Sequence, residues 1–283
     1  MASGAVGLAS PTRPAVSTGC PPLLAGLHET MNRSVNRPLE PQQRAIVIGA
    51  SSGLGAALVR LLASHRYRVA AVARREAELA ALRDELGREA VLPYVHDVTE
   101  YEQAPLLFDQ ITRDLGGLDL IIYAAAVQPP VSLHEYDFAK DEAMLRTNLM
   151  GAVAWLNLAA TRFERARGGH IVGISSIAGD RGRVGSPVYN TSKAGLDTYL
   201  EALRNRLSRY GVSVTTIKPG FIDTELLKNA SKTFWVITPE EAAALTYEAI
   251  RRRKQVVYVP SRWRLVSLAV RSIPSTVFRR LSF

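Results

Sequence analysis

The sequence predicts an α/β protein with a single doubly wound parallel sheet and helices on both of its faces. Apolar, strand-like runs alternate with amphipathic helical patterns from about residue 44 to residue 260, and this alternation is typical of parallel sheets. A glycine-rich turn joins the first strand to the first helix, as in dinucleotide-binding folds. With 283 residues, 47% of them hydrophobic, the chain can bury the core of such a domain.

The first βαβ unit lies in the segment RAIVIGASSGLGAALVRLLASHRYRVAAVARR. A buried strand leads through a glycine turn into an amphipathic helix, and a second apolar strand follows over about residues 67–73. Because Gly49, Gly53 and Gly55 have no Cβ, the turn and the helix N-terminus can approach an anionic pyrophosphate. The position of the turn between a strand and a helix supports this interpretation.

The remaining elements follow in alternation. Helices are predicted near 76–86, over about 100–115 and 141–165, in the stretch that carries Tyr189 and Lys193, and in TPEEAAALTYEAIRRR, where Thr238 is the predicted N-cap with a glutamate at N3. Strands are predicted near 91–95 and in LDLIIYA, GHIVGISS, VSVTTIKP and QVVYVP. The predicted domain therefore spans residues 44–260, with an extension at each end.

Ser176, Tyr189 and Lys193 form the most informative polar pattern of the chain. A tyrosine has a reference pKa of about 10, so its use as an acid or base near neutral pH requires about 4 kcal/mol of help. Lys193 lies four residues after Tyr189, on the same face of a helix, so its ammonium can favour the phenolate while Ser176 holds the reacting oxygen. Tyr-x-x-x-Lys alone is more often an ordinary helix pair, so its context decides.

These motifs together resemble the classical short-chain dehydrogenase/reductase family, which has a Rossmann-type fold, over about residues 44–260. The family's glycine motif TGxxxGxG reads IGASSGLG here, and its active-site Ser, Tyr, Lys and Asn fall on Ser176, Tyr189, Lys193 and Asn148. The resemblance assigns cofactor binding to Tyr189 and Lys193 and to further positions: Gly49, Ser51, Ser52, Gly53, Leu54, Gly55, Asp97, Val98, Ala124, Pro219, Gly220 and Thr224.

One motif of the family is missing. After the fourth strand the family usually carries NNAG, whereas this chain has Tyr123, Ala124, Ala125 and Ala126. The resemblance gives the absent asparagine the role of bracing the cofactor pocket. We therefore expect a changed local geometry near the adenine ribose, with the chemistry of the active site retained.

The end of the second strand favours NADP(H) over NAD(H). Folds of this type that prefer NAD place a carboxylate there for the ribose 2′-hydroxyl, whereas a 2′-phosphate needs a cation. This chain has Arg74 and Arg75 after Ala73. The guanidinium of Arg74 suits a phosphate, and Ser51 can add a hydroxyl. The alternative is that both arginines have no role in cofactor binding and are simply exposed to solvent at the start of the next helix.

The resemblance implies an NADPH-dependent reduction of a ketone to a secondary alcohol, with the carbonyl oxygen held by Ser176 and Tyr189 and the proton delivered by Tyr189. It also implies that Lys193 binds the nicotinamide ribose and that Asn148 holds a water in a proton relay. The main alternative is an NADP-binding sensor or interaction protein that has lost catalysis. An epimerase or dehydratase fits less well, because such proteins normally hold NAD and carry an extended-type glycine pattern.

Residues 1–43 are predicted to be a disordered extension, since they contain six prolines and no sustained apolar period. Neither a secretory signal nor a transit peptide fits this segment. An alternative is that translation begins at Met31. The single cysteine, Cys20, excludes an intrachain disulfide and fits a cytoplasmic protein. No metal-ligand cluster is evident in the sequence, so we expect no metal site.

The C-terminal segment, residues 261–283, is basic and amphipathic. Residues 251–283 contain nine Arg and Lys and no acid, which leaves 26 basic and 26 acidic residues in the other 250. Apolar residues alternate with arginines, and no run reaches the length of a membrane span. The segment therefore either lies on an anionic membrane, at the inner face of the cytoplasmic membrane, or folds over the substrate pocket or a subunit interface. Nucleic-acid binding is disfavoured because the segment lacks base-reading polar residues.

The C-terminal stretch VVYVPSRWRLVSLAVRSIPSTVFRRL, the missing NNAG motif and the helix YNTSKAGLDTYLEALR together resemble a membrane-associated subgroup of these reductases. Decaprenylphosphoryl 2-keto-pentose reductase belongs to this subgroup, which acts on lipid-linked keto sugars. The substrate is then a small-molecule or lipid-linked carbonyl compound. Arg181 and Arg183, between Ser176 and Tyr189, are candidates to bind an anionic head group, although they can equally be surface residues of a loop. The resemblance also implies a homodimer or homotetramer, packed through the helices of Asn148 and Tyr189.

Overall fold

Besides Met1, the computed structural model describes residues 43–229 and 233–281. Within these residues, seven strands form one parallel sheet in the order β3-β2-β1-β4-β5-β6-β7. The strands are β1 (Gln43–Ile48), β2 (Tyr67–Ala73), β3 (Val91–Val95), β4 (Leu120–Tyr123), β5 (His170–Ile174), β6 (Ser213–Pro219) and β7 (Val256–Val259). The predicted doubly wound α/β domain is confirmed.

Helices cover both faces of the sheet. They are α1 (Gly53–Ser64), α2 (Glu76–Leu86), α3 (Ala104–Leu115), α4 (Phe138–Leu145), α5 (Gly151–Ala166), α6 (Pro187–Leu207), α7 (Pro239–Arg251), α8 (Trp263–Ser272) and the short α9 (Ser275–Phe278). Successive residues of a strand point to opposite faces. Ala45 and Val47 accordingly belong to one buried core with residues of α1 and α7, whereas Ile46 and Ile48 belong to a second core with residues of α3, α5 and α6.

The strand order reverses between β1 and β4, and ligands of open α/β sheets bind at such a point, outside the carboxyl ends of the strands. The glycine turn follows β1 and the segment 123–126 spans the end of β4, so the two meet there. Gly49 has φ +86°, and a Cβ on it would lie 2.5 Å from the nitrogen of Ala125. Only glycine fits this close approach in this conformation.

Two predicted helices differ from the structure. The helix expected from about residue 100 begins at Ala104, because residues 101–103 form a turn before it. The long helix expected over 141–165 begins at Phe138, where the side chain of Asp137 caps it by accepting from the backbone N–H of Ala139 at 2.9 Å. It is also interrupted by a π-helical turn (Arg146–Met150) before it continues as α5. The predicted N-cap of α7 is confirmed, since Thr238 and Glu241 form a capping box.

Helix α8 packs against the domain, so part of the segment predicted as a separate tail belongs to the same compact unit. Trp263 and Ser267 are buried, whereas Leu265 and Leu268 on the opposite face are exposed. No helix in the described residues is long and apolar enough to cross a membrane. The predictions for residues 1–42, including Cys20 and Met31, lie outside the described residues.

Candidate active site

Ser176 and Tyr189 meet at the carboxyl end of β5. Ser176 follows this strand and caps a 3₁₀ turn (Ile177–Asp180), where its Oγ accepts a hydrogen bond from the N–H of Ala178 at 3.1 Å. Tyr189 lies in the first turn of α6, and its hydroxyl is close enough to the side chain of Ser176 for the serine to lower the tyrosine pKa. The structure therefore brings together the two hydroxyls that the sequence analysis predicted to hold a carbonyl oxygen.

The environment of Tyr189 differs in one respect from the prediction. Burial raises the pKa of its hydroxyl, while the side chain of Ser176 and the positive charge of Arg183 oppose this rise. The ammonium of Lys193 is 5.8 Å from the centroid of the Tyr189 ring, and its Nζ donates to the carbonyl of Ile174 at 3.0 Å. Ser176 and Arg183 are thus the groups that oppose the effect of burial in this arrangement, and the lowering of the tyrosine pKa by Lys193 stays a prediction.

Lys193 is 2% exposed, which is rare for a lysine without an ion pair. Burial lowers its pKa to about 8, and the negative charge of Asp197 opposes this effect. Because its pKa is lowered to about 8, the charge of this side chain depends on small changes in its surroundings.

Asn148 lies in the π-helical turn and is fully buried. Its Oδ1 accepts from the N–H of Val127 at 2.8 Å, and its Nδ2 donates to the carbonyl of Val127 at 3.0 Å and to Oγ of Ser192 at 3.2 Å. Ser192 lies next to Lys193 on α6. Asn148 thus ties the loop after β4 to the tyrosine helix, and its role in a proton relay stays a prediction.

Tyr123 occupies the start of the motif that departs from the family pattern. It is fully buried, and its hydroxyl donates to the carbonyl of Thr147, so it attaches the end of β4 to the π-helical turn beside Asn148. A Cβ on Gly151 would lie 2.5 Å from this hydroxyl, which explains a glycine at the start of α5. Sequence reasoning missed this contact, although a polar tyrosine at the end of a fully buried strand was a signal for it.

The glycine turn fits a dinucleotide. A Cβ on Gly55 would lie 2.0 Å from the carbonyl oxygen of Gly49, and a Cβ on Gly53, which has φ +52°, would lie 2.9 Å from the methyl group of Thr224. The turn after β1 and the segment after β6 are therefore in contact, as predicted for two parts of one cofactor site. Such a tight turn directs backbone N–H groups and the N-terminus of α1 toward an anion.

Arg75 and Arg74 have different partners. The guanidinium of Arg75 donates to Oγ of Ser51 at 3.1 Å and also to Oγ of Ser52, which places a cation on the glycine turn. Arg74 is more exposed and pairs with Asp97 at 3.4 Å. Asp97 also accepts from the N–H and the hydroxyl of Thr99. Sequence reasoning singled out Arg74, whereas the structure places Arg75 on the glycine turn, because the direction of each side chain depends on how the strand ends; the binding of a cofactor phosphate by Arg74 stays a prediction.

Arg181 and Arg183 also lie in different surroundings. The guanidinium of Arg181 donates to the carbonyl of Val270 at 2.6 Å and to that of Ile273 at the end of α8, and it lies 3.9 Å from the centroid of the Phe278 ring. Arg181 therefore holds the C-terminal helix, and its role in binding a head group stays a prediction. Arg183 is close enough to influence Tyr189, and its Nε is buried without a hydrogen-bond partner.

The fold and the site together define an oxidoreductase built on a dinucleotide-binding sheet. The sequence profile described as short chain dehydrogenase matches residues 43–234, and the chain belongs to this family. It is 34% identical over 239 residues to an uncharacterized oxidoreductase of Myxococcus xanthus, an alignment that covers 83% of this chain and 94% of the relative. It is 30% identical over 224 residues to an uncharacterized oxidoreductase of Mycobacterium tuberculosis, over 77% and 88% of the two chains.

Solved structures agree with the fold. One described as ElxO with NADP bound has a TM-score of 0.70 and 21% identity, and covers 77% of this chain and 97% of its own. The crystal structure of gox2181 has a TM-score of 0.70 and 22% identity, over 78% and 96% of the two chains. The resemblance to a membrane-associated subgroup stays a prediction.

Proposed function

We propose that this protein reduces a ketone to a secondary alcohol with NADPH. The observation that carries the proposal is the proximity of the Ser176 and Tyr189 side chains beside the buried Lys193. When bound, the reduced nicotinamide supplies a hydride. The two hydroxyls orient the carbonyl oxygen, and Tyr189, whose raised pKa keeps it protonated at neutral pH, donates the proton to that oxygen. Lys193 supplies a positive charge next to the tyrosinate that remains.

The preference for NADPH rests on Arg75. A ribose 2′-phosphate bound next to Ser51 and Ser52 would meet the guanidinium that these hydroxyls hold. We expect Arg75→Ala to weaken NADPH binding about tenfold, the loss of one charge-assisted hydrogen bond, and to change NADH binding less than twofold. Arg74→Ala is the matched control, and calorimetric titration gives both affinities. Equal losses for the two cofactors would remove Arg75 from the recognition of the phosphate.

The catalytic proposal is tested by Tyr189→Phe, which removes only the hydroxyl. We expect the variant to fold, to bind NADPH with unchanged affinity and to lose at least about a thousandfold in turnover of a ketone, because the proton donor is gone. Thr191→Ala, an exposed hydroxyl on the same helix, is the control. A near-normal rate for Tyr189→Phe would refute the assignment, and tight NADPH binding without turnover of any ketone by the wild type would favour the NADP-binding sensor.

The proposed substrate is an amphiphilic carbonyl compound, such as a lipid or a lipid-linked keto sugar, presented at an anionic membrane. Three observations support it. Leu265 and Leu268 on α8 are 72% and 65% exposed, residues 251–283 contain no acid, and the exposed aromatic pair Phe234 and Trp235 packs against Trp263 at the start of α8. Apolar and cationic side chains on one helix suit the headgroup layer of an anionic bilayer.

Vesicle sedimentation tests the membrane proposal. We expect the wild type to bind phosphatidylglycerol vesicles at low salt, to release them at high salt, and to ignore phosphatidylcholine vesicles. The double variant of Leu265→Ser and Leu268→Ser should bind more weakly without unfolding, because both side chains are exposed. Leu106→Ser, which changes an equally exposed leucine on α3, is the control. Equal sedimentation of all three proteins would contradict the proposal.

Arg183 is the cation that we propose for an acidic group of the substrate. Its guanidinium lies near Tyr189, and none of the ion pairs found among the described residues includes it. For the quaternary structure we propose a homodimer or homotetramer through the helices of Asn148 and Tyr189, where Met150 is half-exposed. Light scattering after size exclusion determines the mass in solution, and a monomer at micromolar concentration would refute this.

A further inference from the structure

A buried cluster of three charged side chains lies next to Lys193. Asp197 follows Lys193 by one turn of α6, and its carboxylate is 2.8 Å from Nζ of Lys218 on β6. Lys218 also forms an ion pair with Asp180, on the 3₁₀ turn after Ser176. The side chains of Asp180, Lys218 and Asp197 are 3%, 10% and 16% exposed. Two carboxylates therefore share one ammonium in the interior, and the cluster has a formal charge of −1.

An interior cluster of this composition is not explained by stability alone. Burying ions has a desolvation penalty that a single ion pair at best offsets, and here one carboxylate charge has no partner within the cluster. Although burial lowers it, the pKa of Lys218 is raised above its ordinary value by Asp197 and Asp180, so Lys218 stays charged. Asp197 lies one helical turn from Lys193, and its negative charge raises the pKa of that buried side chain against the effect of burial.

The packing fixes the cluster against the helix turn of Lys193. A Cβ on Gly179 would lie 2.6 Å from Oδ2 of Asp197 and 2.8 Å from the carbonyl carbon of Lys193, so the 3₁₀ turn of Asp180 lies directly on α6. The C-terminal helix holds the far side of the cluster. Oγ of Ser267 on α8 donates to Asp180 at 2.6 Å, and the hydroxyl of Tyr258 donates to the same carboxylate at 3.3 Å.

We propose that Asp180, Lys218 and Asp197 form a charge-positioning cluster that keeps the buried side chain of Lys193 in its ammonium form. The proposal rests on the function proposed for Lys193, and it adds three positioning residues that do not touch the reacting atoms. Lys193 needs such support, because burial alone makes the neutral amine easier to form.

The sign of each effect follows from the charge of the cluster. Asp197→Asn and Asp180→Asn both bring it from −1 to neutral, so both should make Lys193 lose its proton at lower pH. Lys218→Met brings it to −2 and should act in the opposite direction. Asp180 is the more informative of the two acids, since it reaches Lys193 only through Lys218 and Asp197. The groups that reach Lys193 directly are Tyr189 and Asp197 on α6. Lys218 on β6 and Asp180 on the 3₁₀ turn are linked to it through Asp197, and Arg183 on the loop before α6 acts on Tyr189.

The protonation of Lys193 can be followed directly, because the chain has only six lysines. NMR of protein labelled with ¹³C at the lysine ε-carbon gives one titration curve per lysine, and Lys193→Arg identifies the relevant signal. We expect the midpoint of Lys193 to fall by about one pH unit in Asp197→Asn, by less in Asp180→Asn, and to rise in Lys218→Met. Glu201→Gln, an exposed acid on the same helix, should leave it unchanged, and Lys218→Gln replaces Lys218→Met if the latter does not fold.

The titration needs no turnover, so it stays informative if the reductase proposal fails. In an active enzyme, the decline of kcat at high pH should move in the same direction as the NMR midpoint for each variant. A midpoint for Asp197→Asn equal to that of Glu201→Gln would overturn the proposal, as would a shift of Lys218→Met in the same direction as the two Asp variants. Shifted midpoints in a protein without any carbonyl reduction would leave the cluster intact and refute only the catalytic role.

Discussion

Replacing Trp263 tests whether the C-terminal helix is an integral part of the domain. The side chain is 2% exposed, and its ring lies 5.5 Å from that of Phe221, 5.0 Å from that of Phe234 and 5.5 Å from that of Trp235, between centroids. Truncating a buried tryptophan to alanine costs about 3–5 kcal/mol. At about 2–4 °C per kcal/mol for a domain of this size, Trp263→Ala should lower the Tm by roughly 6–20 °C.

The control is Leu265→Ala on the same helix, at a position that is 72% exposed, where the expected change is within about 0.5 kcal/mol. Thermal and urea denaturation followed by circular dichroism measure both variants. If Trp263→Ala lowers the Tm no more than Leu265→Ala does, the packing of Trp263 does not stabilise the domain and helix α8 is only loosely attached to it.

Gly220 provides a second, independent perturbation of the same contact. A Cβ on Gly220 would lie 1.9 Å from Nε1 of Trp263, so Gly220→Ala alone should cost about 1–3 kcal/mol by overpacking. In the Trp263→Ala background the space is free, and the same change should be close to neutral. A double-mutant cycle with a coupling near zero would show that the two residues do not contact each other.

Three further predictions concern the site and the sheet. Gly49→Ala should lower the free energy of unfolding by at least about 2 kcal/mol and weaken NADPH binding, because a Cβ there would lie 2.5 Å from the backbone. Gly116→Ala is the control for backbone strain alone, since Gly116 has φ +74° and open space around its Cβ. Equal losses of stability in the two variants would refute the clash. Asn148→Ala should lower turnover and should reduce the free energy of unfolding by about 2 kcal/mol, as measured by kinetics and urea denaturation. Ser192→Ala should lower both quantities less, because it removes only one of the contacts. Burial lowers the pKa of His170 to about 4, so between pH 6.5 and 4 the unfolded chain binds a proton that the folded chain does not. The free energy of unfolding should therefore fall by about 3 kcal/mol as the pH is lowered from 6.5 to 4. The same acid-induced loss in a His170→Gln variant would contradict this prediction.

Much of the fold could be predicted because it is encoded locally. The strand over Tyr67–Ala73 and the helix over Glu76–Leu86 have the predicted bounds, since apolar runs, charged helix faces and glycines mark them within a few residues. The π-helical turn at Asn148 could not be predicted in this way. It accompanies side-chain hydrogen bonds to Val127 and Ser192, which are 21 and 44 residues away in the chain.

The same reason limits what the sequence can predict about the arginines. Which of Arg74 and Arg75 faces the glycine turn depends on the exact end of β2, and the partners of Arg181 lie about 90 residues away. A signal for the buried charge cluster was nevertheless present. A lysine in the apolar strand VSVTTIKP, Lys218, is unusual enough to require a buried acid, and an acid one turn after Lys193 was available to supply it.

The contacts that the NNAG motif would make are replaced in this chain by contacts from other residues. An asparagine at the end of β4 would hold the neighbouring loop by its amide. Here the loop is held from the other side, because Asn148 binds both backbone groups of Val127, while the hydroxyl of Tyr123 fastens the strand to the π-helical turn that carries Asn148. One turn of helix thus supports both the loop at the cofactor side and, through Ser192, the helix of Tyr189 and Lys193. A chain that concentrates these contacts in one place can therefore lose the usual asparagine and still hold the loop after β4 and the helix of Tyr189 and Lys193 together.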